Sequence, residues 1–62
     1  MVVGFIGLGN VGQKLANTLV RNKIKCYVHD LHYKNASDLI ERGAIWAKTP
    51  VALTKKCDVI IT

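Results

Sequence analysis

The stretch "GFIGLGNVG", residues 4–12, lies near the start of the chain and decides how the chain is expected to fold. It places Gly7, Gly9 and Gly12 at the end of and just behind the apolar run "VVGFIG". Glycine inside a strand or helix costs about 0.5–1 kcal/mol relative to alanine. Three such residues within six positions therefore indicate a place where side chains would violate a local constraint.

A regular alternation of strand and helix patterns surrounds this stretch. The run "VVGFIG" is continuously apolar, which is typical of a strand covered on both faces in a parallel sheet. Apolar residues then recur at helical spacing from Asn10 to Asn22. The segment "IKCYVHD" is rich in strand-forming residues and predicts a second strand that closes at Asp30.

The second half of the chain repeats the alternation. A second helix is predicted from about Asn35 to Arg42, with Asn35 as its N-cap, Asp38 in its first turn and Gly43 as a left-handed C-terminal cap. The segments "AIWA" and "DVIIT" predict the third and fourth strands. Between them lies a third helix, for which "TPVALTKK" offers a threonine N-cap followed by proline at the first helical position.

This order of elements predicts an α/β fold of the Rossmann type, a doubly wound parallel sheet with right-handed crossovers. The four strands would occupy the order 3-2-1-4. Residues 1–62 are accordingly interpreted as the N-terminal part of a dinucleotide-binding domain.

In such a sheet the three glycines have distinct roles. Gly7 would let the chain turn sharply after the first strand, Gly9 would leave room for a pyrophosphate, and Gly12 would let the first helix pack closely against the sheet. The anion would meet free N–H groups and the positive end of the helix dipole. The alternative is a tight strand-to-helix turn with no ligand, but the position of an acidic residue at the end of the next strand favours the dinucleotide.

That acidic residue is Asp30, eighteen positions beyond Gly12, where a ribose-binding carboxylate is expected. A carboxylate there can accept hydrogen bonds from both ribose hydroxyls of NAD and would repel the 2′-phosphate of NADP, for which Leu31 offers no guanidinium. We expect NAD to be preferred, with NADP as the alternative because His32 and Lys34 would partly offset the repulsion. Otherwise Asp30 would only cap a nearby turn.

The candidate cofactor-binding residues lie in the two loops that follow the first and second strands and in the first turn of the first helix. Around His32 the alternative, an ordinary solvated loop, is the favoured interpretation of "HYK". The candidates are Gly7, Leu8, Gly9, Asn10, Val11, Gly12, Asp30, Leu31 and His32.

Composition excludes several other classes. The net charge of +5 comes from short, separate basic runs, which favour a solvated surface over nucleic-acid binding. No apolar run reaches the roughly 18–20 residues of a membrane span, and the N-terminus lacks the basic start of a secretory signal. Cys26 and Cys57 are interpreted as free thiols in a reducing compartment, and His29 and His32 lack the partners of a metal site. We expect a cytoplasmic protein, with the mitochondrial matrix as the alternative.

The segments "VGFIGLGNVG", "VHD", "ERGA" and "CDVIIT" together resemble the N-terminus of the β-hydroxyacid dehydrogenases. That family includes 3-hydroxyisobutyrate dehydrogenase, tartronate semialdehyde or glyoxylate reductases, and 6-phosphogluconate dehydrogenase. The resemblance covers essentially the whole chain but only the first third or less of such an enzyme. Val11 stands where the family usually has methionine, and Thr18 where it often has asparagine. Members that prefer NADP carry Asn-Arg-Thr or Asn-Arg-Ser where this chain has "DLH".

The resemblance implies hydride transfer between a nicotinamide cofactor and a small β-hydroxyacid. The family's catalytic lysine belongs to a later helical domain, so no catalytic residue is assigned among these residues. We expect the remaining Rossmann strands and that domain to be absent from this chain. The 62 residues alone are expected to be inactive, weak in NAD binding, marginally stable and self-associating along the edge of "DVIIT". The full-length protein is expected to be a homo-oligomer.

Two other functions remain open from the sequence. One is a non-catalytic module for nucleotide sensing or assembly that keeps the fold without the lysine. The other is a related reductase, such as pyrroline-5-carboxylate reductase or prephenate dehydrogenase, whose first strand-turn-helix unit looks similar.

Overall fold

Four parallel strands and three α-helices alternate along the chain in the computed structural model, which describes all 62 residues. The strands are β1 (Val2–Ile6), β2 (Lys25–His29), β3 (Ile45–Trp46) and β4 (Val59–Ile61). The helices are α1 (Asn10–Arg21), α2 (Ser37–Glu41) and α3 (Pro50–Lys56). The strands form one sheet in the order β3-β2-β1-β4 with parallel pairing throughout, so the Rossmann-type topology predicted from the sequence is confirmed.

The main core lies on the face of the sheet that α1 and α2 cover. Side chains alternate between the two faces of a strand, so Val3 and Phe5 of β1 point to the same face. Phe5 is paired with Val28 of β2 and Ile61 of β4, and it is fully buried. The buried residues of this cluster come from the strands, both helices and the loops between them: Val3, Phe5, Leu8, Ala16, Cys26, Val28, Ala36, Leu39 and Ala44.

The opposite face of the sheet is covered by α3, which rests on a glycine. A Cβ atom on Gly4 would overlap Leu53 and would lie 2.6 Å from the Sγ of Cys57. Leu53 is fully buried, so α3 is seated directly on the backbone of β1. Gly4 therefore serves packing, a role that the sequence analysis did not assign to it.

Both α1 and α2 end in the same type of backbone cap. After α2, Gly43 has a φ of +120° and the N–H of Ala44 donates to the carbonyl of Leu39 at 2.9 Å, which confirms the predicted left-handed cap. After α1 the equivalent position is Lys23, with a φ of +63°, and the N–H of Ile24 donates to the carbonyl of Leu19 at 3.0 Å. A side chain in this conformation costs about 1–2 kcal/mol.

The start of α2 differs from the expectation. The predicted N-cap, Asn35, instead belongs to a single 3₁₀ turn (Tyr33–Asn35), and α2 begins at Ser37 with Ala36 at the N-cap position and no side-chain cap. Asn35 does not cap α2 because its side-chain amide donates to the carboxylate of Asp30 at 3.0 Å instead. The prediction that Asp38 lies in the first turn of α2 is confirmed.

The start of α3 follows the expectation. Thr49 is the N-cap and its hydroxyl accepts a hydrogen bond from the N–H of Ala52 at 3.0 Å, while Pro50 occupies the first helical position. The longest helix of the chain, α1, has 12 residues, and none of the three is long and apolar enough to cross a bilayer.

The remaining predictions of the fold concern the thiols and the sheet edge. Cys26 and Cys57 are both free, as predicted, and burial raises the pKa of each thiol. β4 pairs only with β1, and its Val59 and Ile60 are exposed. Self-association along this edge stays a prediction.

Candidate functional site

The loop between β1 and α1 turns on Gly7. Its φ of +88° lies in the region that L side chains rarely adopt, and open space surrounds the position, so backbone conformation is what requires glycine there. The N–H of Gly7 donates to the carbonyl of His29 at 2.9 Å. This bond continues the β1–β2 ladder and fixes where the turn begins.

The first turn of α1 offers backbone N–H groups without protein partners. Gly9 is the N-cap residue, no side chain caps the helix and no acidic residue lies in its first turn. A Cβ on Gly9 would meet no atom within 4 Å, which leaves the space in front of these N–H groups open. Such an end carries a partial positive charge and binds anions.

Gly12 brings the start of α1 close to the turn. A Cβ at this position would lie 3.3 Å from the carbonyl oxygen of Gly7, a tighter contact than side chains normally make. The sequence predicted close packing of the helix against the sheet at this position, whereas the close neighbour in the structure is the backbone of the loop. As a result the loop and the first helical turn form one compact unit.

A cleft of about 500 Å³ opens beside this unit. It lies at the carboxyl ends of β1 and β4, where the strand order reverses, the usual ligand position in open α/β sheets. No lining side chain is a carboxylate, imidazole, thiol or ammonium group, so the cleft offers none of these groups for proton transfer. It is lined by Ile6, Gly7, Gly9, Asn10, Val11, Gly12, Leu15, Ile61 and Thr62.

Asp30 lies directly after β2 and connects this loop with the next one. One carboxylate oxygen, Oδ2, accepts the N–H of Leu8 at 2.7 Å. The other, Oδ1, accepts the N–H of His32 at 2.9 Å and the side-chain amide of Asn35 at 3.0 Å. The hydrogen bonds from the backbones of His32 and Leu8 lower the pKa of Asp30 below its usual value. The carboxylate is therefore ionised at neutral pH and braces both loops.

This arrangement changes what Leu8 can contribute. Its N–H is committed to Asp30, and its side chain is buried in the main core. Its carbonyl accepts the side-chain amide of Gln13 at 3.2 Å. Leu8 therefore fixes the position of the loop, and the N–H groups that remain open belong to the residues that follow it.

The other candidates in the second loop differ in position. Leu31 is 92% exposed and touches neither the cleft lining nor the core, whereas His32 is held next to Asp30 by its backbone. Two aromatic contacts border the same loop: the ring of Trp46 lies 5.0 Å from that of Tyr33 and 5.3 Å from that of His29. Of the candidate residues, five line the cleft, and Asp30, Leu31 and His32 lie in the second loop. The hydrogen bond from the N–H of Leu8 to Asp30 connects the two sets. The five are Gly7, Gly9, Asn10, Val11 and Gly12.

Two residues of the region around Asp30, Asn35 and Trp46, were not assigned to the site from the sequence. Asn35 was interpreted as a helix cap, although an amide five positions after an aspartate in a polar loop can also reach back to it. Trp46 was seen only as part of a strand. No local pattern pairs Trp46 with the loop, since the contact depends on the β2–β3 pairing. The structure contains no group of three or more His, Cys, Asp or Glu residues placed to hold a metal ion.

Comparison with known proteins agrees with this geometry. The family model of the NAD-binding domain of 6-phosphogluconate dehydrogenase matches residues 2–62. A probable mitochondrial 3-hydroxyisobutyrate dehydrogenase of Dictyostelium discoideum is 42% identical over 60 residues, which are 97% of this chain and 19% of the relative.

Solved structures of other proteins share the fold of this chain. A structure described as "Psf3 in complex with NADP+ and 2-OPP" has 43% sequence identity and a TM-score of 0.89, covering 94% of this chain and 20% of that one. An imine reductase of Streptomyces aurantiacus has 27% identity and a TM-score of 0.91, covering 97% of this chain and 21% of that one. The chain thus spans about a fifth of the length of these relatives.

Proposed function

The chain belongs to the family of the NAD-binding domain of 6-phosphogluconate dehydrogenase, and on that premise we propose how its residues bind the dinucleotide. The pyrophosphate lies in front of the first turn of α1, and the adenine-side ribose lies next to Asp30. The observation that carries this proposal is the uncapped start of α1 facing a cleft at the point where the strand order reverses.

In this proposal the phosphates accept hydrogen bonds from the backbone N–H groups of Gly9, Asn10, Val11 and Gly12. None of the four has a partner within the protein. The absence of an acidic residue in the first turn keeps this end of α1 positive. Val11 is 80% exposed beside the same opening, so its side chain is available for contact with the ligand.

We propose that Asp30 selects NAD over NADP. Its carboxylate is ionised and would repel a 2′-phosphate, and the exposed Leu31 brings no positive charge. A carboxylate has about four acceptor positions, and three of them already hold N–H donors. One ribose hydroxyl can therefore be accepted without loss of an existing bond, whereas a second would displace one. One relative was solved with NADP+, so the decisive measurement compares the affinities of this protein for NAD and for NADP directly.

We propose that the whole protein is an oxidoreductase that acts on a small β-hydroxyacid. The 3-hydroxyisobutyrate dehydrogenase relative supports this substrate class. The bound nicotinamide would supply or accept the hydride. The cleft is lined by no carboxylate, imidazole, thiol or ammonium side chain, so in this proposal the proton-transfer group lies outside the cleft lining.

The test uses Trp46 as a built-in reporter. It is the only tryptophan of the chain and its ring contacts Tyr33, which closely follows Asp30, so cofactor binding should change its fluorescence. We expect NADH to bind about tenfold or more tightly than NADPH. Tighter binding of NADPH would contradict the assignment of Asp30.

A variant separates the cleft from the rest of the surface. Gly9→Val fills the space in front of the N–H groups and should weaken NADH binding by about 100-fold or more, or about 2.7 kcal/mol. Ala52→Val adds comparable bulk to the exposed side of α3 and serves as the control. Normal NADH binding by Gly9→Val would mean that the glycine serves the turn alone.

A second candidate reaction is the reduction of an imine, favoured by the structural likeness to the imine reductase of Streptomyces aurantiacus. It shares the cofactor site and differs in the substrate. Turnover of the whole protein with 3-hydroxyisobutyrate and NAD, compared with reduction of a cyclic imine by NADH, distinguishes the two. Activity with the imine alone would replace the hydroxyacid proposal.

A further inference from the structure

A second and larger concavity, of about 790 Å³, runs along α1 toward its C-terminal end and is closed by Arg42 at the end of α2. We call it the basic groove. It shares no lining residue with the dinucleotide cleft. Its polar lining consists of four cations and two neutral side chains: Lys14, Arg21, Lys23, Arg42, Asn17 and Thr18.

The charges of the basic groove are not neutralised within the protein. The chain has four acidic residues, and none of them lines the groove. The hydrogen bonds of the carboxylates go to N–H groups of Val2, Leu8, His32 and Asn35 and not to any lysine or arginine. Helix dipoles explain a cation at a helix end, but Lys14 lies in the second turn of α1 and faces the same groove.

One of the cations is held in place. The guanidinium of Arg42 donates from Nη1 to the side-chain oxygen of Asn17 at 2.7 Å, across the contact between α2 and α1. A guanidinium has five N–H donors in a planar fork, so the rest of the group stays available. A fixed fork loses less entropy when it binds an oxyanion, and it matches the geometry of phosphate.

A second cation is retained at a strained position. Lys23 occupies the left-handed cap after α1, where the equivalent cap after α2 has glycine. Both caps make the same pair of backbone hydrogen bonds, so nothing in the cap itself requires a lysine. Side chains held in unfavourable backbone conformations are concentrated at functional sites. The lysine at this position supplies a charge to the groove that glycine could not.

From these observations we propose that the basic groove binds a small ligand that carries at least two phosphate groups. The volume falls within the roughly 300–1,000 Å³ of small-molecule sites. Two or more phosphates match the four cations better than one, and the fork of Arg42 gives the site its orientation. The groove runs from the second turn of α1 to its C-terminal end and shares no lining residue with the dinucleotide cleft, so both sites can be occupied together.

Tripolyphosphate is the probe, and nuclear magnetic resonance of ¹⁵N-labelled protein gives the readout. We expect saturable shifts at Thr18, Lys23 and the side chain of Arg42. The same shifts should appear in Gly9→Val, in which the dinucleotide cleft is blocked. Shifts confined to residues 9–12, or shifts that do not saturate, would overturn the proposal.

Variants test the named cations. Arg42→Ala and Lys23→Gly should each weaken tripolyphosphate binding about fivefold or more, while Lys48→Ala, an exposed cation outside the groove, should leave it within twofold. Lys23→Gly relaxes the backbone strain, so its loss of binding cannot be attributed to unfolding. Equal weakening by all three variants would show diffuse charge attraction in place of a site.

A single-stranded oligonucleotide is the last arm of the experiment. The proposal expects it to bind no more tightly per phosphate than tripolyphosphate. Affinity that grows with oligonucleotide length, with the same residues shifted, would assign the groove to nucleic acid and overturn the small-ligand proposal.

Discussion

Two of the strand-to-helix loops differ in how they treat the first backbone N–H groups of the helix that follows. The loop from β3 to α3 closes its helix with its own residues, because Thr49 caps the N–H of Ala52 and Pro50 has no N–H to satisfy. The loop from β1 to α1 has glycine at the N-cap and leaves its first N–H groups open. The first arrangement satisfies the N–H groups at the start of its helix, and the second leaves them without a partner in the protein.

The largest expected effect comes from closing the open end. Gly9→Asp would place a capping carboxylate in front of α1, which favours the helix but repels phosphates. We expect NADH binding to weaken more than 100-fold, or about 2.7 kcal/mol, while the melting temperature is unchanged or higher. Fluorescence titration and thermal unfolding measure the two quantities. An unchanged affinity would mean that the two loops do not differ in function.

The next effect concerns how α3 is seated on the sheet. Gly4→Ala would force a Cβ against Leu53 and Cys57, so the free energy of unfolding should fall by about 1–3 kcal/mol. Chemical denaturation measures it. Gly43→Ala provides a comparison in which backbone conformation and not space is limiting. A stable Gly4→Ala variant would show that α3 can shift away from β1 at little cost.

Asp30→Asn tests the brace that keeps the open loop in place. It replaces one carboxylate oxygen with an amide NH2 group, so the N–H groups of Leu8 and His32 can no longer both keep an acceptor, and NADH affinity should fall about tenfold, or about 1.4 kcal/mol. The lowered pKa of Asp30 means that its contribution to stability is present above the ordinary aspartate pKa of about 3.9 and is lost as pH falls through the folded value. The variant should therefore lack part of the acid-induced loss of stability below about pH 4. Identical acid unfolding of both proteins would contradict the brace.

The smallest effect is expected at the closed end. Thr49→Ala removes the side-chain cap of α3 and should cost about 1 kcal/mol of unfolding free energy. NADH affinity should stay the same, because α3 does not line the cleft. Thr49→Ser, which keeps the hydroxyl, is the matched control. A loss of NADH affinity in Thr49→Ala would show that the two loops are coupled.

The features that were predicted from sequence rest on local patterns. The caps at Thr49 and Gly43 and the turn at Gly7 each follow from a short local signal, and the strand order follows from the alternation of such elements along the chain. Asn35 was assigned wrongly because asparagine is both a common helix cap and a good hydrogen-bond donor to a carboxylate. In the structure its side-chain amide donates to Asp30. Gly4 was missed because its reason, the overlap with Leu53, lies 49 positions away along the chain.

For the candidate site, sequence could identify the residues but not the state of their hydrogen bonds. Nothing in the pattern of Leu8 and Asp30 says that the N–H of one is already bound by the other. That bond reduces the number of ribose hydroxyls that Asp30 can accept without losing a partner. The basic groove was also not predicted, since Lys14, Arg21 and Lys23 belong to α1 and its cap, whereas Arg42 reaches them only through the packing of α2 against α1.

The bond between Asp30 and Leu8 also has a consequence for the speed of binding. Because the Asp30 carboxylate holds the loop before α1 in place, the free N–H groups of α1 are aligned before a ligand arrives. No folding of the loop has to precede binding. Encounter should then proceed in one exponential phase whose rate rises linearly with ligand concentration. A slow, concentration-independent phase belongs to sites that must rearrange first, and it should emerge only when the carboxylate is removed.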